Sequence, residues 1–267
     1  MKSTSAASRL VFSFCLLSQM VMADVSYTGS STIGLQIMPE AAPAFEKETG
    51  IRFQSVEIPG SGKGIQAVIN GKAVMAGASR PLTVEEKSHK LYYQIIGYDA
   101  IGVFVNKKNP VKKLTKDQVK NIFTGRTKNW KELGGDDSPV VCITETLSEK
   151  HATAVEFQSI AMDGADYRSD IVQVENPAKQ VERLKSEENG IISVSFSFND
   201  PAMKAVYVNN VAPDPGNVRS GSYILSRPLL LVTKGLPKGD IKRFINFMLS
   251  PKGQEIVAKR FVPIVSK

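Results

Sequence analysis

The sequence predicts an α/β fold in which short buried strands alternate with helices. Short apolar runs recur along the chain, and between them lie segments whose apolar residues have helical spacing. No Pro/Gly-rich linker divides the chain into consecutive domains, and no internal repeat or low-complexity stretch interrupts the alternation. Alternating strands and helices typically build parallel sheets covered by helices, so we expect that architecture here.

Residues 1–23 are interpreted as a secretory signal peptide that is not part of the fold. They contain Lys2 and Arg9, a short apolar run, and small residues before an expected cleavage after Ala23. The run is too short to cross a bilayer core of about 30 Å. The residues before Cys15 are too bulky for a usual lipoprotein cleavage site. A buried N-terminal helix is the alternative, but its flanking residues suit it poorly, so we expect an exported, free and soluble mature protein.

The first part of the chain alternates strands and helices in short steps. The helix after the first strand carries Ile33, Ile37, Ala41 and Phe45 on one face, and Gly50 ends it. The predicted elements are, in order, a strand at 25–28, a helix at 33–45, a strand from 51, a helix at 65–69, a strand at 73–78, and a helix beginning at the capping box of Thr83 and Glu86.

The later part begins with a long apolar segment at 95–106, which we expect to be a strand pair that crosses out of the first group of elements. Thr115 and Gln118 have capping-box spacing and start a helix that Gly125 stops. The remaining predicted elements are a strand at 140–143, a helix at 152–162, strands at 190–198 and 223–232, and helices at 240–249 and 253–260.

Composition and charge limit the classes of ligand. The formal net charge of +8 falls to +6 once Lys2 and Arg9 leave with the signal peptide, which suits an anionic ligand. The basic residues are scattered and not interleaved with aromatic residues on one face, so we expect no nucleic-acid partner. Cys142 remains after cleavage and is expected to be a buried apolar residue. With only two histidines in the chain, no zinc-site spacing exists, and we expect no metal or cofactor.

Three predicted strand-to-helix turns combine hydroxyl groups with a helix N-terminus. They span residues 29–32, 60–64 and 144–148. A helix N-terminus carries unpaired N–H donors and a partial positive charge, so it attracts an oxyanion. Each turn alone is usually only a cap, but three turns on similar strand ends favour a shared ligand site at one edge of the sheets.

Arg80 adds a fixed positive charge directly after the strand at 73–78. Its planar guanidinium can hold two oxyanion oxygens, although a salt bridge within the protein is the alternative. Enzyme hypotheses fit less well. The turn at 60–64 is too short for a P-loop, no G-x-S-x-G motif is present, and His151 beside Ser148 lacks an orienting acid. We therefore expect a binding protein and not an enzyme.

These features together resemble the phosphate-binding proteins of bacterial phosphate ABC importers. The resemblance covers nearly the whole chain after residue 23 and preserves the order of the motifs. The matching motifs are Gly29-Ser30-Ser31-Thr32, Gly60-Ser61-Gly62-Lys63-Gly64, Ala78-Ser79-Arg80-Pro81-Leu82, Leu114-Thr115 with Gln118, Ile122-Phe123 with Gly125, Asn129-Trp130 with Leu133-Gly134-Gly135, and Leu225-Ser226-Arg227-Pro228-Leu229.

The resemblance implies a type II periplasmic binding protein with two lobes, each a mixed sheet flanked by helices, and with the ligand in the cleft between them. Residues 24–101 and 207–267 would form the first lobe, and residues 102–206 the second. The family also implies a monomer that binds inorganic phosphate and delivers it to a membrane permease. By position, Ser31, Thr32 and Ser61 would donate hydrogen bonds, and Arg80 stands where relatives have Asp or Arg.

The third turn departs from the family pattern of Arg, a short spacer and Ser-Gly-Thr. Thr144 stands at the Arg position, and Ser148-Glu149-Lys150 stand at the Ser-Gly-Thr positions. Ser148 is the kept hydroxyl on this alignment. If the helix that follows is shifted in register, Thr146 or Thr153 serves instead. Lys150 or Lys63 is a candidate for replacing the lost positive charge.

Asp99 is a candidate for recognising a protonated oxyanion. Phosphate at neutral pH still carries a proton and can donate it to a carboxylate, whereas sulfate has none to donate and is repelled. Since position 80 holds Arg, the acceptor must come from elsewhere, and Asp99 lies near the expected crossing between lobes. A structural turn acid is the alternative.

Two further hypotheses keep the fold and change the function. The altered third turn is compatible with another oxyanion or an organic anion as ligand. Alternatively, the closed lobes act as a sensor or partner-binding domain with little ligand exchange. Phosphate capture for an importer remains the leading hypothesis because the order of motifs favours it.

Overall fold

The structure, a computed structural model, describes residues 25–264. The predicted signal peptide, its cleavage after Ala23 and Cys15 therefore lie outside the described residues. The described strands are β1 Val25–Gly29, β2 Phe53–Glu57, β3 Ala76–Ala78, β4 Leu91–Asn106, β5 Lys113–Leu114, β6 Val141–Glu145, β7 Val172–Val174, β8 Gly190–Ser195, β9 Met203–Val208, β10 Ser226–Lys234 and β11 Val262–Pro263.

Helices cover these strands, as the alternating pattern predicted. In chain order they are α1 Ser31–Gln36, α2 Met38–Thr49, α3 Ser61–Ile69, α4 Val84–Ser88, α5 Lys116–Phe123, α6 Ala152–Ala161, α7 Pro177–Lys185, α8 Pro215–Arg219, α9 Gly239–Leu249 and α10 Pro251–Ala258. Thr83 and Thr115 each close the predicted capping box on the helix that follows. Within residues 25–264, no helix is both long and apolar enough to cross a bilayer.

The strands form two groups that share β4. In the first lobe the order is β2-β1-β3-β10-β4, with β11 also paired to β4. In the second lobe β4 continues into β8, β6 and β7, and β9 pairs with β4 and β5. The first half of β4 pairs with β10 and the second half with β8, so a single strand belongs to both lobes.

Each lobe encloses its own core. Phe45, Phe53 and Phe244 meet edge to face in the first lobe, and the centroids of Phe53 and Phe244 lie 4.8 Å apart. In the second lobe the rings of Phe123 and Phe157 lie 4.7 Å apart. Cys142 is buried there, as predicted, and burial raises the pKa of its thiol to about 12. Most buried apolar residues of each lobe therefore pack against residues of the same lobe.

The long apolar segment differs from its prediction as a strand pair. It is one continuous strand, Leu91–Asn106, with no turn inside it. A Cβ on Gly97 would lie 2.8 Å from a methyl group of Val257, so the glycine lets α10 pack closely against β4. Gly97 therefore allows close packing of α10 against β4.

The chain returns to the first lobe later than predicted. Tyr207 lies in β9, which pairs with β5 and the second half of β4, so it belongs to the second lobe. Tyr223 and Leu225 still pack in the second lobe's core. The return falls where the Ile101 N–H donates to the Leu225 carbonyl at 2.8 Å. The predicted boundary near Tyr207 is therefore too early.

Strand direction brings the candidate site together. In the first lobe β1 and β3 run parallel, whereas β10 runs antiparallel to β3 and to β4. The carboxyl ends of β1 and β3 therefore lie at the same edge as the start of β10. In the second lobe β6 and β8 are parallel and end at Glu145 and Ser195. Contacts between the two lobes bring these edges together. Ligands in open α/β sheets bind at the carboxyl ends of strands, so a ligand site is expected here.

Candidate anion-binding site

Three helix N-termini meet between the two lobes. Helices α1 and α3 come from the first lobe and α6 from the second. The first N–H groups of each helix have no carbonyl partner within the helix, and the helix dipole adds partial positive charge. The three ends therefore present donors to one space, which suits an anion.

The first turn is fixed by backbone hydrogen bonds around Ser30. The Ser30 N–H donates to the Gly77 carbonyl at 2.9 Å, and the Tyr27 hydroxyl donates to the Ser30 carbonyl at 2.8 Å. The Ser30 hydroxyl caps α1 by accepting from the Ile33 N–H at 3.3 Å. Thus Ser30 has a structural role, while the neighbouring Ser31 and Thr32 begin the helix at the lobe interface.

The second turn is joined directly to the first. Gly60 adopts φ +99°, a conformation that favours glycine, and its N–H donates to the Gly29 carbonyl at 2.9 Å. Ser61 is buried, and its hydroxyl oxygen accepts from the Ser79 N–H at 3.2 Å. Residues Ser31, Thr32 and Ser61 are therefore held at one edge of the first-lobe sheet.

Arg80 lies beside this edge but already has a charged partner. Its guanidinium makes a bidentate pair with the Glu86 carboxylate, at 2.8 and 2.7 Å. Burial acts to raise the pKa of Glu86, but hydrogen bonds from Arg80 and Thr83 outweigh it and lower that pKa. One guanidinium nitrogen of Arg80 lies 3.8 Å from where a Cβ on Gly62 would be, so the charge faces the start of α3. The salt bridge within the protein is therefore formed, and the position of the guanidinium also permits the predicted ligand contact.

Arg227 is the residue that the sequence analysis missed as a site residue. Its side chain is fully buried at the junction of the lobes. It donates to the Thr153 hydroxyl of α6 at 3.0 Å and to the Thr32 hydroxyl of α1 at 3.3 Å. One guanidinium thus touches the N-terminal turns of helices from both lobes. An arginine within an apolar run, in the motif 225–229, was the available signal, because such a charge needs a buried partner.

Asp99 is the partner of Arg227. The two residues lie opposite each other on the antiparallel strands β4 and β10. Oδ2 of Asp99 accepts from Arg227 Nε at 3.0 Å and from Nη2 at 2.8 Å, and Oδ1 accepts from the Ser195 hydroxyl at 2.8 Å. Burial raises the pKa of Asp99, although Arg227 and Ser195 act against the shift. Asp99 therefore lies at the site, with both oxygens accepting from protein donors, and it orients Arg227.

The third turn takes the shifted register. Ser148 is exposed in a short 3-10 helix over Leu147–Glu149, and the Thr146 hydroxyl donates to the Val174 carbonyl at 3.3 Å. The structure does not bring Ser148 or Thr146 together with the first-lobe turns. Lys150 adopts the left-handed conformation at φ +51° and ends the 3-10 helix, so α6 starts afresh at Ala152. Thr153 is the second-lobe hydroxyl that reaches Arg227.

The segment that lost the family pattern makes a contact between lobes. The Glu149 carboxylate, which turns outward, forms an ion pair with the Lys63 ammonium of α3. Both side chains are substantially exposed to solvent. Hydrogen bonding and the nearby charge of Lys63 lower the pKa of Glu149. Lys63 therefore pairs with Glu149 across the edge of the cleft, and we call this pair the edge latch.

Reversing one charge of the edge latch should weaken ligand binding modestly. The Lys63→Glu variant places two carboxylates together and favours the open lobes, so we expect the Kd for a bound oxyanion to rise about two- to fivefold at low salt. Titration calorimetry checks this, and the Lys63→Glu/Glu149→Lys double variant should return to the wild-type affinity. Equal affinities of Lys63→Glu and the double variant for the anion would show that the edge latch does not stabilise the closed lobes.

Glu145, which is buried, and His151, which is partly buried, have polar atoms in the site whose hydrogen bonding is incomplete. Among the described residues, Oε1 of Glu145 and Nδ1 of His151 have no hydrogen-bond partner, and these atoms lie 3.9 Å apart. Burial raises the pKa of Glu145 to about 7 and lowers the pKa of His151. His151 also touches the first lobe, since a Cβ on Gly60 would lie 3.3 Å from Nδ1. Residues 25–264 contain no group of His, Cys, Asp and Glu that could hold a metal ion.

Taken together, the two lobes, the shared edge of strand ends and the buried guanidinium define the fold and the anion-suited site of a two-lobed binding protein. Comparison with known proteins agrees. The model of the PBP superfamily domain matches residues 18–252. A phosphate ABC transporter substrate-binding protein from Clostridium perfringens, solved with bound phosphate, is 35% identical and superposes with a TM-score of 0.85, covering 91% of this chain and 100% of its own.

Curated relatives give the narrower group. The phosphate-binding protein PstS of Staphylococcus saprophyticus is 30% identical over 263 residues, covering 91% of this chain and 81% of the relative. PstS of Bacillus subtilis is 28% identical over 247 residues, with 90% and 80% covered. The chain therefore belongs to the PstS family of phosphate-binding proteins within the PBP superfamily. The resemblance and the two-lobed fold predicted from the sequence are confirmed.

Proposed function

We propose that this protein is an exported substrate-binding protein that captures inorganic phosphate for an ABC importer and catalyses no reaction. The observation that carries the proposal is Arg227, a fully buried guanidinium whose donors reach helix N-termini of both lobes. A buried charge is costly unless it is paired, and Asp99 supplies that pairing within the protein. The relatives' names and the phosphate bound in the Clostridium perfringens protein support phosphate as the ligand.

The proposed ligand shell combines hydroxyl, backbone and guanidinium donors. Ser31, Thr32 and Ser61 contribute from the first lobe and Thr153 from the second, together with the first N–H groups of α1, α3 and α6. Arg227 supplies positive charge, and Arg80 reinforces it from beside α3. Ser148 and Thr146 have no place in this shell, because the third turn is shifted.

Ligand binding is coupled to lobe closure through these donors. An oxyanion that contacts first-lobe and second-lobe donors at once stabilises the closed form more than the open form, and this difference shifts the equilibrium. The closed protein then presents both lobes to the importer's permease. Export to the periplasm and action as a monomer belong to the same proposal.

Titration calorimetry and thermal melting with phosphate test the proposal. A ligand present at 100 times its Kd should raise stability by about 2.7 kcal/mol, which gives a clear increase in melting temperature. Sulfate, arsenate and small organic anions serve as comparison ligands. If millimolar phosphate gave no binding heat and no increase in melting temperature, phosphate would be rejected as the ligand. A response to an organic anion alone would favour the alternative ligand class.

A further inference from the structure

The second lobe lacks the arginine that its family pattern places in the third turn, yet two unsatisfied atoms lie where that turn meets the first lobe. Oε1 of Glu145 comes from the end of β6, and Nδ1 of His151 comes from the residue that precedes α6. Unsatisfied polar atoms in a native interior are rare and need a partner. A ligand between the lobes is one such partner, because His151 lies against Gly60 at the start of α3.

Asp99, the carboxylate predicted to accept the proton of the oxyanion, is already occupied by hydrogen bonds within the protein. Both oxygens of Asp99 accept from protein donors, Arg227 on one side and Ser195 on the other. Glu145 is also almost fully buried, but one of its oxygens is unpaired. The free acceptor at the cleft is therefore on Glu145.

Arg227, His151 and Tyr167 act directly on Glu145 or lie close to it, and further charged groups act on Arg227 and His151. The Arg227 guanidinium favours the carboxylate form of Glu145, whereas burial favours the protonated form and dominates. His151 is influenced in turn by the edge latch. The groups that face this region are Arg227 on β10, His151 and Glu156 at α6, Tyr167 after α6, Asp99 on β4, Arg80 after β3, Lys63 on α3 and Glu149 in the 3-10 helix.

We propose that Glu145 and His151 contact the bound oxyanion, and that Glu145 makes the selection between protonated and unprotonated oxyanions depend on pH. The inference rests on the proposed function and adds the residue that sets specificity. As a carboxylate, Glu145 accepts a hydrogen bond from the proton of phosphate and repels sulfate. As a neutral acid, it donates to either anion, so discrimination is lost.

The direction of the pH effect follows from the burial of Glu145. Its pKa of about 7 lies above the ordinary value, so the group is neutral in mildly acidic solution and ionised in alkaline solution. A bound anion beside Glu145 favours the neutral form further. At a pH where free Glu145 is ionised, sulfate binding is therefore accompanied by uptake of a proton from solvent. Sulfate should therefore bind in acid and be rejected in alkali.

Sulfate is the decisive probe, because it does not titrate near neutral pH as phosphate does. At constant ionic strength, we expect wild-type protein to bind sulfate at least tenfold more tightly at about pH 5.5 than at about pH 8.5, since each unit of pH above the pKa of Glu145 lowers its neutral fraction about tenfold. In the Glu145→Gln variant the same ratio should fall below about twofold. Calorimetry in two buffers of different ionisation enthalpy should record proton uptake in the wild type and none in Glu145→Gln.

The matched control is Glu156→Gln, which makes the same change at a neighbouring carboxyl whose pKa burial also raises. It should keep the wild-type pH dependence of sulfate binding. His151→Phe should weaken phosphate binding about fivefold, and His151→Asn should restore part of the loss, because the amide keeps a polar atom near the position of Nδ1.

Four results would overturn the inference while leaving phosphate binding intact. They are no sulfate binding at about pH 5.5, sulfate affinity independent of pH in the wild type, pH dependence retained in Glu145→Gln, or pH dependence lost in Glu156→Gln. Absence of phosphate binding at every pH would instead reject the proposed function and this inference with it.

Discussion

Replacing Arg227 with methionine is expected to abolish measurable phosphate binding and to destabilise the fold by about 3–5 kcal/mol. The variant removes the guanidinium that touches Thr32 and Thr153, so the two lobes lose their shared donor. It also leaves the Asp99 carboxylate buried without its cation, which is the larger cause of the lost stability. Urea unfolding measures the stability and calorimetry measures the binding.

A double variant separates the two effects. Arg227→Met with Asp99→Asn removes the uncompensated charge, so most of the stability should return while binding stays lost. The single variant should also recover stability in acid. Burial raises the pKa of Asp99, and without Arg227 it rises further, so the stability present at low pH is lost as pH rises through that raised pKa. Phosphate binding within about threefold of wild type in the single variant would contradict the role of Arg227.

Replacing Gly64 with alanine should separate the first two anion turns. A Cβ on Gly64 would lie 2.5 Å from the Gly29 Cα and 3.0 Å from its nitrogen, both of which are backbone atoms that cannot rotate away. Helix α3 must move off β1, so we expect a loss of about 1–3 kcal/mol in stability and at least tenfold in phosphate affinity. Thermal melting and calorimetry measure the two quantities.

Gly62 provides the matched control for this substitution. It lies in the same helix, but its added Cβ would meet only an Arg80 nitrogen at 3.8 Å, an ordinary contact. Gly62→Ala should therefore leave stability within about 0.5 kcal/mol of wild type. Equal stability losses in the two variants would show that the close approach of α3 to β1 is not the cause of the loss in Gly64→Ala.

The order of elements and the first-lobe turns could be predicted from sequence because both depend on local chemistry. Helical spacing, capping boxes and glycine-bearing turns act within a few residues, and Thr83, Thr115 and Gly60 behave as those rules require. Ser31, Thr32 and Ser61 follow from the same turns. Their convergence follows from parallel strands ending at one edge.

The remaining parts of the site depend on long-range pairing that no local pattern contains. Arg227 and Asp99 are 128 positions apart and meet only because β10 and β4 pair antiparallel in one register. The shift of the third turn depends on the left-handed Lys150, a conformation that lysine rarely adopts and sequence rules do not anticipate. The late return at Leu225 was missed because β9 is amphipathic and half exposed.

The position of β10 between β3 and β4 also sets the order in which this chain can fold. Strands β4 to β9 are contiguous in sequence, so the second lobe can assemble from neighbouring segments as they emerge. The sheet of the first lobe lacks a central strand until Ser226–Lys234 has been made. Because Arg227 is in that strand, we expect the guanidinium to reach its pocket only after the second lobe has formed. A nascent chain stopped before residue 226 should hold a structured second lobe and no functional site.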